Sequence, residues 1–356
     1  MHPSGAVPVS ARAAALHRAA TVVDLHSDAL LWSRNLARRA RSGHVDLPRL
    51  REGGATLEVF SIVTRFPVVA SINTTSPWWP DAVTLLAVSS LWPPRTWTSL
   101  EARVLQQAAA LDRLARGSEG RFIEVRTRAD LDRLLAAHAV DPRVVGGLVD
   151  IEGAHALGDD LGALDRVAAA GIRMIGLAHF YDNAFAGSAH GVAKGGLTKL
   201  GRTLVREMER RGIVVDLAHS SPATIADVLA MATRPLVVSH TGVRGVCDNQ
   251  RNLSDEQLRG VARLDGVVGI GFWETAACGV APADVARAIK YTVDLIGDEH
   301  VGLGSDFDGA VTTGFDAAGL PMLTQAMLDA GVPETSIPKI LGGNAIRVLR
   351  AVLPVS

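Results

Sequence analysis

The feature that most constrains this chain is a recurrence of short apolar runs separated by longer stretches with helical periodicity. Eight runs read as strands, at residues 21–28, 56–63, 145–152, 173–179, 213–219, 235–240, 267–273 and 301–306. Most are rich in Val, Ile, Leu and Gly, and none alternates cleanly between polar and apolar, as expected of parallel strands covered on both faces. Helix-compatible segments lie between them at 161–170, 197–211, 223–232, 254–264 and 283–297. Thr198, Ser221, Ser254 and Pro282 stand at or beside helix starts, where capping chemistry places such residues. Eight strands joined by right-handed helical crossovers predict an α/β chain forming one closed (β/α)8 barrel, a TIM barrel. Its expected bounds are 21–352, preceded by an N-terminal extension over 1–20. The spacing breaks once, between strands two and three. A Pro/Trp-rich loop at 76–97 and polar helices at 100–116 and 128–137 are expected there, as a long crossover insertion over the barrel mouth.

Bulk properties narrow the function classes. Of 356 residues, 48% are hydrophobic and 21% charged, enough apolar matter for a large core. A net charge of −1 without a basic stripe argues against nucleic acid or an anionic membrane as partner. No apolar stretch reaches membrane-span length, and residues 1–20 lack the apolar segment of a secretory signal. A soluble chain without membrane anchor, in the cytoplasm, is the expectation. Cys247 and Cys278 form no C-x-x-C pair and are expected to be separate, inert packing thiols.

The chemistry lies in where His and carboxylate residues fall. Strand one ends in His26-Ser-Asp28 and strand three in Glu152; His179, His219, His240 and Asp306 end strands four, five, six and eight. In a barrel these ends share one rim, the face on which active sites form. His26 and Asp28, two apart, can reach one ion from the same strand face. Glu152 can bridge to a second ion held by His219 and His240. These are ligand types for zinc, with manganese, iron or cobalt as alternatives. Two ions about 3.5–4 Å apart can share a water and lower its pKa toward neutral, and Asp306 is placed to take its proton. No lysine ends a predicted strand, so Glu152 is the bridge expected here. A single His-x-Asp or strand-end histidine is commonly structural. Five ligand-type residues closing four strands are not, because buried imidazoles and acids are costly unless paired. His2, His17 and His138 read as surface or helical residues, His44 as part of a turn entering a helix, and His155 and His190 as possible pocket residues.

The stretches VDLHSD (23–28), GHVDLPRLREGG (43–54), DIEGAHALG (150–158), RMIGLAHFYDN (173–183), IVVDLAHSSPATI (213–225), PLVVSH (235–240), CDNQRNLSDEQL (247–258) and HVGLGSDFDG (300–309) together resemble the membrane (renal) dipeptidase family, the M19 metallopeptidases, in its bacterial branch. The resemblance implies a metallo-dipeptidase that hydrolyses dipeptides, L,D-dipeptides included, with two zinc ions on His26, Asp28, Glu152, His219 and His240. It implies that His179 contacts the substrate and polarises the scissile carbonyl, that Arg251 grips the substrate's C-terminal carboxylate, that Asp306 is the acid–base residue, and that a homodimer can form. Segment 65–97 and the Thr-Gly-Val-Arg step after His240 depart from the animal enzymes' pattern, and so leave side-chain preference open. The rival readings are a barrel of the same type acting on an N-acyl amino acid, a lactam or a specialised metabolite, and a metal-binding barrel without activity.

Overall fold

The computed structural model describes residues 8–356; residues 1–7, including His2 and the start of the N-terminal extension, lie outside the described residues. Among the described residues one parallel sheet has nine strands: β1 (Val23–Ser27), β2 (Leu57–Val63), β3 (Phe122–Glu124), β4 (Val145–Glu152), β5 (Ile172–Gly176), β6 (Val214–Asp216), β7 (Val237–Thr241), β8 (Val267–Ile270) and β9 (Val301–Leu303). The hydrogen-bonded order is β2-β1-β9-β8-β7-β6-β5-β4-β3, and β2 also pairs with β4, from Leu57 opposite Gly146 to Val63 opposite Glu152. That pairing closes an eight-stranded barrel. Every residue of β1, β2 and β4 is buried, which is why these runs carry no alternation.

Two expectations are corrected. The first concerns β3, which was not expected. It is three residues long and extends the sheet outside the closed ring by pairing with the start of β4. So short a run has no periodicity to read. The second concerns the loop at 76–97, which contains a helix, Ala82–Ser89, capped by Asp81 through the Val83 N–H. Its sequence, AVTLLAVS, is apolar on all sides and so lacks an amphipathic signature. The insertion is pinned by the buried Arg103, which donates to Asp81 Oδ2 at 2.6 Å, Thr64 O at 2.6 Å and Thr96 O at 2.7 Å.

Helices Lys199–Arg211, Pro222–Met231 and Asp255–Arg263 start where their caps foretold. Thr198, Ser221 and Ser254 accept from the N–H groups of Gly201, Thr224 and Gln257, satisfying otherwise unpaired donors. Helix Ala11–Ala19 contains His17, which is buried rather than at the surface. Its ring bonds Thr324 Oγ1 and Gly53 O, both at 2.8 Å. No helix among the described residues is long and apolar enough to cross a membrane.

The cysteines are also corrected. Cys247 and Cys278 form a disulfide, with Cα atoms 5.3 Å apart. They stand 31 residues apart in the chain, but β7 and β8 are paired neighbours, so the loops that follow them lie side by side. Such bonds persist in oxidising surroundings, which weighs against the cytoplasmic location expected from the sequence.

Candidate metal centre and substrate cavity

All the candidate residues converge at the carboxy-terminal mouth of the barrel, but not all from within strands. His26, Glu152 and His240 are strand residues, whereas His179, His219 and Asp306 lie beyond the ladders that end at Gly176, Asp216 and Leu303. His219 and Asp306 both have φ of +59°, the left-handed region. Such strain costs roughly 1–3 kcal/mol and is typically held at functional sites. Gly153, with φ +99°, turns the chain directly after Glu152; a Cβ there would lie 2.4 Å from His155 Nδ1.

The donor atoms meet around Glu152. Its Oε1 lies 3.0 Å from His219 Nε2, 3.3 Å from His240 Nε2 and 3.6 Å from His26 Nε2, and its Oε2 lies 3.2 Å from His179 Nε2. His26 Nε2 is also 3.5 Å from Asp28 Oδ1. Ligand atoms of His26, Asp28 and Glu152 lie within 4.8 Å of one another, as do those of Glu152, His219 and His240, and those of His26, His240 and Asp306. The geometry thus offers two adjoining donor sets that share Glu152.

Hydrogen bonds behind the cluster fix which histidine nitrogens face it. Ile72 O, only an acceptor, takes the Nδ1–H of His190 at 2.9 Å. The other ring nitrogen of neutral His190 therefore accepts from His219 Nδ1 at 2.9 Å. His219 Nε2 is left with a lone pair aimed at Glu152. A second relay acts on His240. Ser239 Oγ donates to Asp216 Oδ2 at 2.6 Å and so accepts from His240 Nδ1 at 2.9 Å. The two Nε2 atoms face each other at 2.9 Å. Two lone pairs and a carboxylate oxygen within this space repel unless a cation lies among them. His26 Nε2 and Asp28 Oδ1 are buried without hydrogen-bond partners, which is costly for polar atoms. This donor set fits divalent metal ions, in type and in unmet need.

Burial sets most of the protonation states; at His26 it is outweighed by the Asp28, Glu152 and Asp306 carboxylates, which raise that imidazole well above its ordinary range. Burial holds the imidazoles of His179, His219 and His240 well below their ordinary range, helped by nearby cationic and imidazole groups; neutral imidazole is the form that binds metal. His190 is held down to about 3, chiefly by burial and then by Arg251. Burial pushes Asp306 up to about 8, opposed by His26 and reinforced by Asp28. Arg251 is lowered to about 10, mainly by burial. Its guanidinium donates to His240 O at 2.7 Å and lies 5.8 Å from the Trp273 ring centre.

Sequence reasoning missed the positioning residues Asp216, Ser239 and the Ile72 carbonyl, and left His190 undecided. Asp216 and Ser239 were detectable as polar residues inside apolar strand ends; the Ile72 contact is long-range and leaves no local trace. His155 does not join the donor set: its Nε2 bonds Thr64 Oγ1 at 3.0 Å. His138 caps nothing in the site and bonds Val144 O and Thr56 Oγ1. His44 precedes helix Leu47–Glu52 and accepts from Asp308 N–H. Over the cluster opens a cavity of about 770 Å3, whose wall includes Asp28, Glu152, His179, His219, Arg251 and Asp306.

Fold and donor set define the class: a closed α/β barrel with a buried His/carboxylate cluster suited to divalent metals. Within that class, residues 10–356 match the family model for membrane dipeptidase, peptidase family M19, and the chain belongs to this family. It is 35% identical over 219 residues to dipeptidase verJ of Clonostachys rogersoniana, covering 60% of this chain and 56% of that protein. With dipeptidase aclJ of Aspergillus oryzae it shares 37% over 218 residues, 58% of this chain and 52% of the relative. The chain thus spans little more than half the length of these curated relatives. A metallopeptidase from Rhodobacter sphaeroides, liganded with a phosphinate mimic of L-Ala-D-Ala, superposes with a TM-score of 0.77 at 29% identity, over 94% of this chain and 99% of that one.

Proposed function

We propose that this chain is a metal-dependent dipeptidase that hydrolyses dipeptides, L,D-dipeptides among them, with two zinc-class ions. His26, Asp28 and Glu152 would hold one ion, and Glu152, His219 and His240 the other. The observation that carries the reading is the pair of histidine lone pairs, each fixed by its own relay, directed at a shared carboxylate oxygen. Family membership and the dipeptide mimic on the Rhodobacter sphaeroides relative point to the same substrate class.

When bound, the ions supply Lewis acidity and lower the pKa of a water to near neutral. The remaining work falls to side chains. Arg251, buried beside the cluster, receives the C-terminal carboxylate, for which a planar guanidinium is matched two-to-two. Burial makes that contact strong and makes its absence costly, so an uncharged C-terminus is disfavoured. His179 faces Glu152 from the substrate side and steadies negative charge developing on the scissile oxygen. Asp306, held at the rim by its left-handed backbone, is raised by burial in the absence of ions; beside bound cations it would be the carboxylate that takes a proton from the attacking water and passes it to the leaving amine.

The test is metal analysis of purified protein together with hydrolysis of L-Ala-D-Ala, L-Ala-L-Ala and the C-terminal amide of each. Two divalent ions per chain and cleavage of the free acids, abolished by chelator, are expected. Equal rates on acids and amides would remove the assigned role of Arg251, and metal-loaded protein inert on every dipeptide would remove the dipeptidase reading.

A further inference from the structure

The cavity is built for more than two small residues. Its volume is about 770 Å3, near the upper part of the range for sites that enclose drug-sized ligands. The charged and imidazole side chains of its wall, Asp28, Glu152, His179, His190, His219, Arg251 and Asp306, all belong to the donor cluster or adjoin it. The remainder is neutral and largely apolar, supplied by Leu31, Trp32, Val63, Phe66, Val83 and Leu86 among others. Leu85 continues this wall onto the exposed rim.

Barrel topology assigns the apolar wall to one end of the substrate. Around the closed ring the order is β1, β2, β4, β5, β6, β7, β8, β9. The helix Ala82–Ser89 is tied to the end of β2, where the Ala82 N–H donates to Phe66 O at 2.8 Å and Arg103 donates to both Asp81 Oδ2 and Thr64 O; Leu31 and Trp32 follow β1, whereas Arg251 follows β7. β2 and β7 are four places apart in a ring of eight, so the two features face each other across the donor cluster. A substrate whose carboxylate rests on Arg251 and whose scissile carbonyl lies over the cluster must send its N-terminal residue toward the β1–β2 side.

We infer that this enzyme selects dipeptides whose N-terminal residue bears a large apolar side chain, such as Leu, Phe or Trp, seated against the wall formed by Leu31, Trp32 and the helix Ala82–Ser89. The inference rests on the dipeptidase reading and adds to it the side-chain class of the N-terminal residue. Each methylene buried on binding is worth roughly a 3- to 4-fold gain. Leu or Phe in place of Ala is therefore expected to raise kcat/KM by more than about tenfold even with partial burial.

The experiment is a series of X-D-Ala and X-L-Ala dipeptides, with X being Gly, Ala, Leu, Phe or Trp, on the metal-loaded full chain and on Leu86→Asn. The expected result is a rise from Gly to Leu and Phe, with the Phe-to-Ala ratio falling severalfold in Leu86→Asn. The ratio is taken within one preparation, so loss of folded protein cancels. A second readout is independent of turnover: Trp32 and Trp273 line the cavity, so binding of the same dipeptides to metal-free protein is followed by tryptophan fluorescence, with Phe-D-Ala expected tighter than Ala-D-Ala. Cleavage of all members at similar rates, or a preference untouched by Leu86→Asn, overturns this inference and leaves the dipeptidase reading standing. Failure to cleave any member overturns that reading, and this inference with it.

Discussion

Replacing His190 with Ala isolates the relay behind His219. The wild-type imidazole takes the His219 Nδ1 proton at 2.9 Å and is itself oriented by Ile72 O at 2.9 Å. Without it, His219 Nδ1–H is buried with no acceptor, a loss of about 1–3 kcal/mol. The ring can escape that cost by moving its proton to Nε2, but then the nitrogen facing Glu152 can no longer donate a lone pair. Either route weakens binding of the ion assigned to Glu152, His219 and His240. Loss of a hydrogen-bond partner behind a metal ligand typically lowers affinity about 10–100-fold, equivalent to about 1.4–2.8 kcal/mol. Chelator-competition titration of zinc should therefore show one of two sites weakened by that factor, with the site of His26, Asp28 and Glu152 changed less. His190 also stacks on Phe180, with ring centres 4.5 Å apart, so packing must be separated from hydrogen bonding. His190→Gln keeps an acceptor and should recover much of the affinity. Two full-strength sites in His190→Ala would refute the relay, and equal damage in the Ala and Gln variants would assign the effect to packing.

Four further outcomes are expected. Asp306→Asn should keep its zinc, measured by elemental analysis, while kcat falls about 10²–10⁴-fold, the usual range for a lost proton carrier; retained turnover counts against Asp306. Arg251→Met should raise KM for dipeptides and erase the difference between free acids and C-terminal amides in steady-state kinetics. Reducing the Cys247–Cys278 bond, or Cys278→Ser, should lower stability by about 3–4 kcal/mol from loop-closure entropy alone at a separation of 31 residues, read as an earlier denaturant midpoint. Finally, burial would lift the Asp81 carboxyl, but hydrogen bonds from Thr84, Arg103 and the Phe66 N–H outweigh it and hold the pKa below the ordinary value. A depressed carboxylate stabilises the fold above its unfolded value, and that contribution is lost as pH falls through the folded one. Asp81→Asn should thus be less stable than wild type at neutral pH and lose less on acidification, seen by thermal melts across acidic pH.

The barrel was legible because each of eight buried strands leaves a local mark, an apolar run of strand length with capped helices between. β4 was read to the residue, because Glu152 ends it and Gly153 turns the chain. Three of the other site-bearing ends were read too long: His179, His219 and Asp306 lie in turns whose apolar flanks imitate strand, whereas His240 lies inside β7. The gathering of Asp28, Glu152, His219 and His240 was foreseeable, since a closed parallel barrel brings all strand termini to one rim. Besides the three-residue β3, three things were not legible. The disulfide depends on β7 and β8 being neighbours, the helix Ala82–Ser89 on an apolar segment without periodicity, and the His190 contact on a backbone carbonyl from a distant insertion.

That last contact binds the insertion after β2 to the chemical machinery. Because Ile72 contributes its carbonyl and not its side chain to His190, substitution at this position should leave the contact intact so long as the chain passes at the same place. A one-residue insertion or deletion upstream is not, since it displaces the oxygen. Side chains along the entrance can therefore change without touching the ions, whereas replacing the 65–97 segment with one of different length should disturb the ions before it alters the substrate.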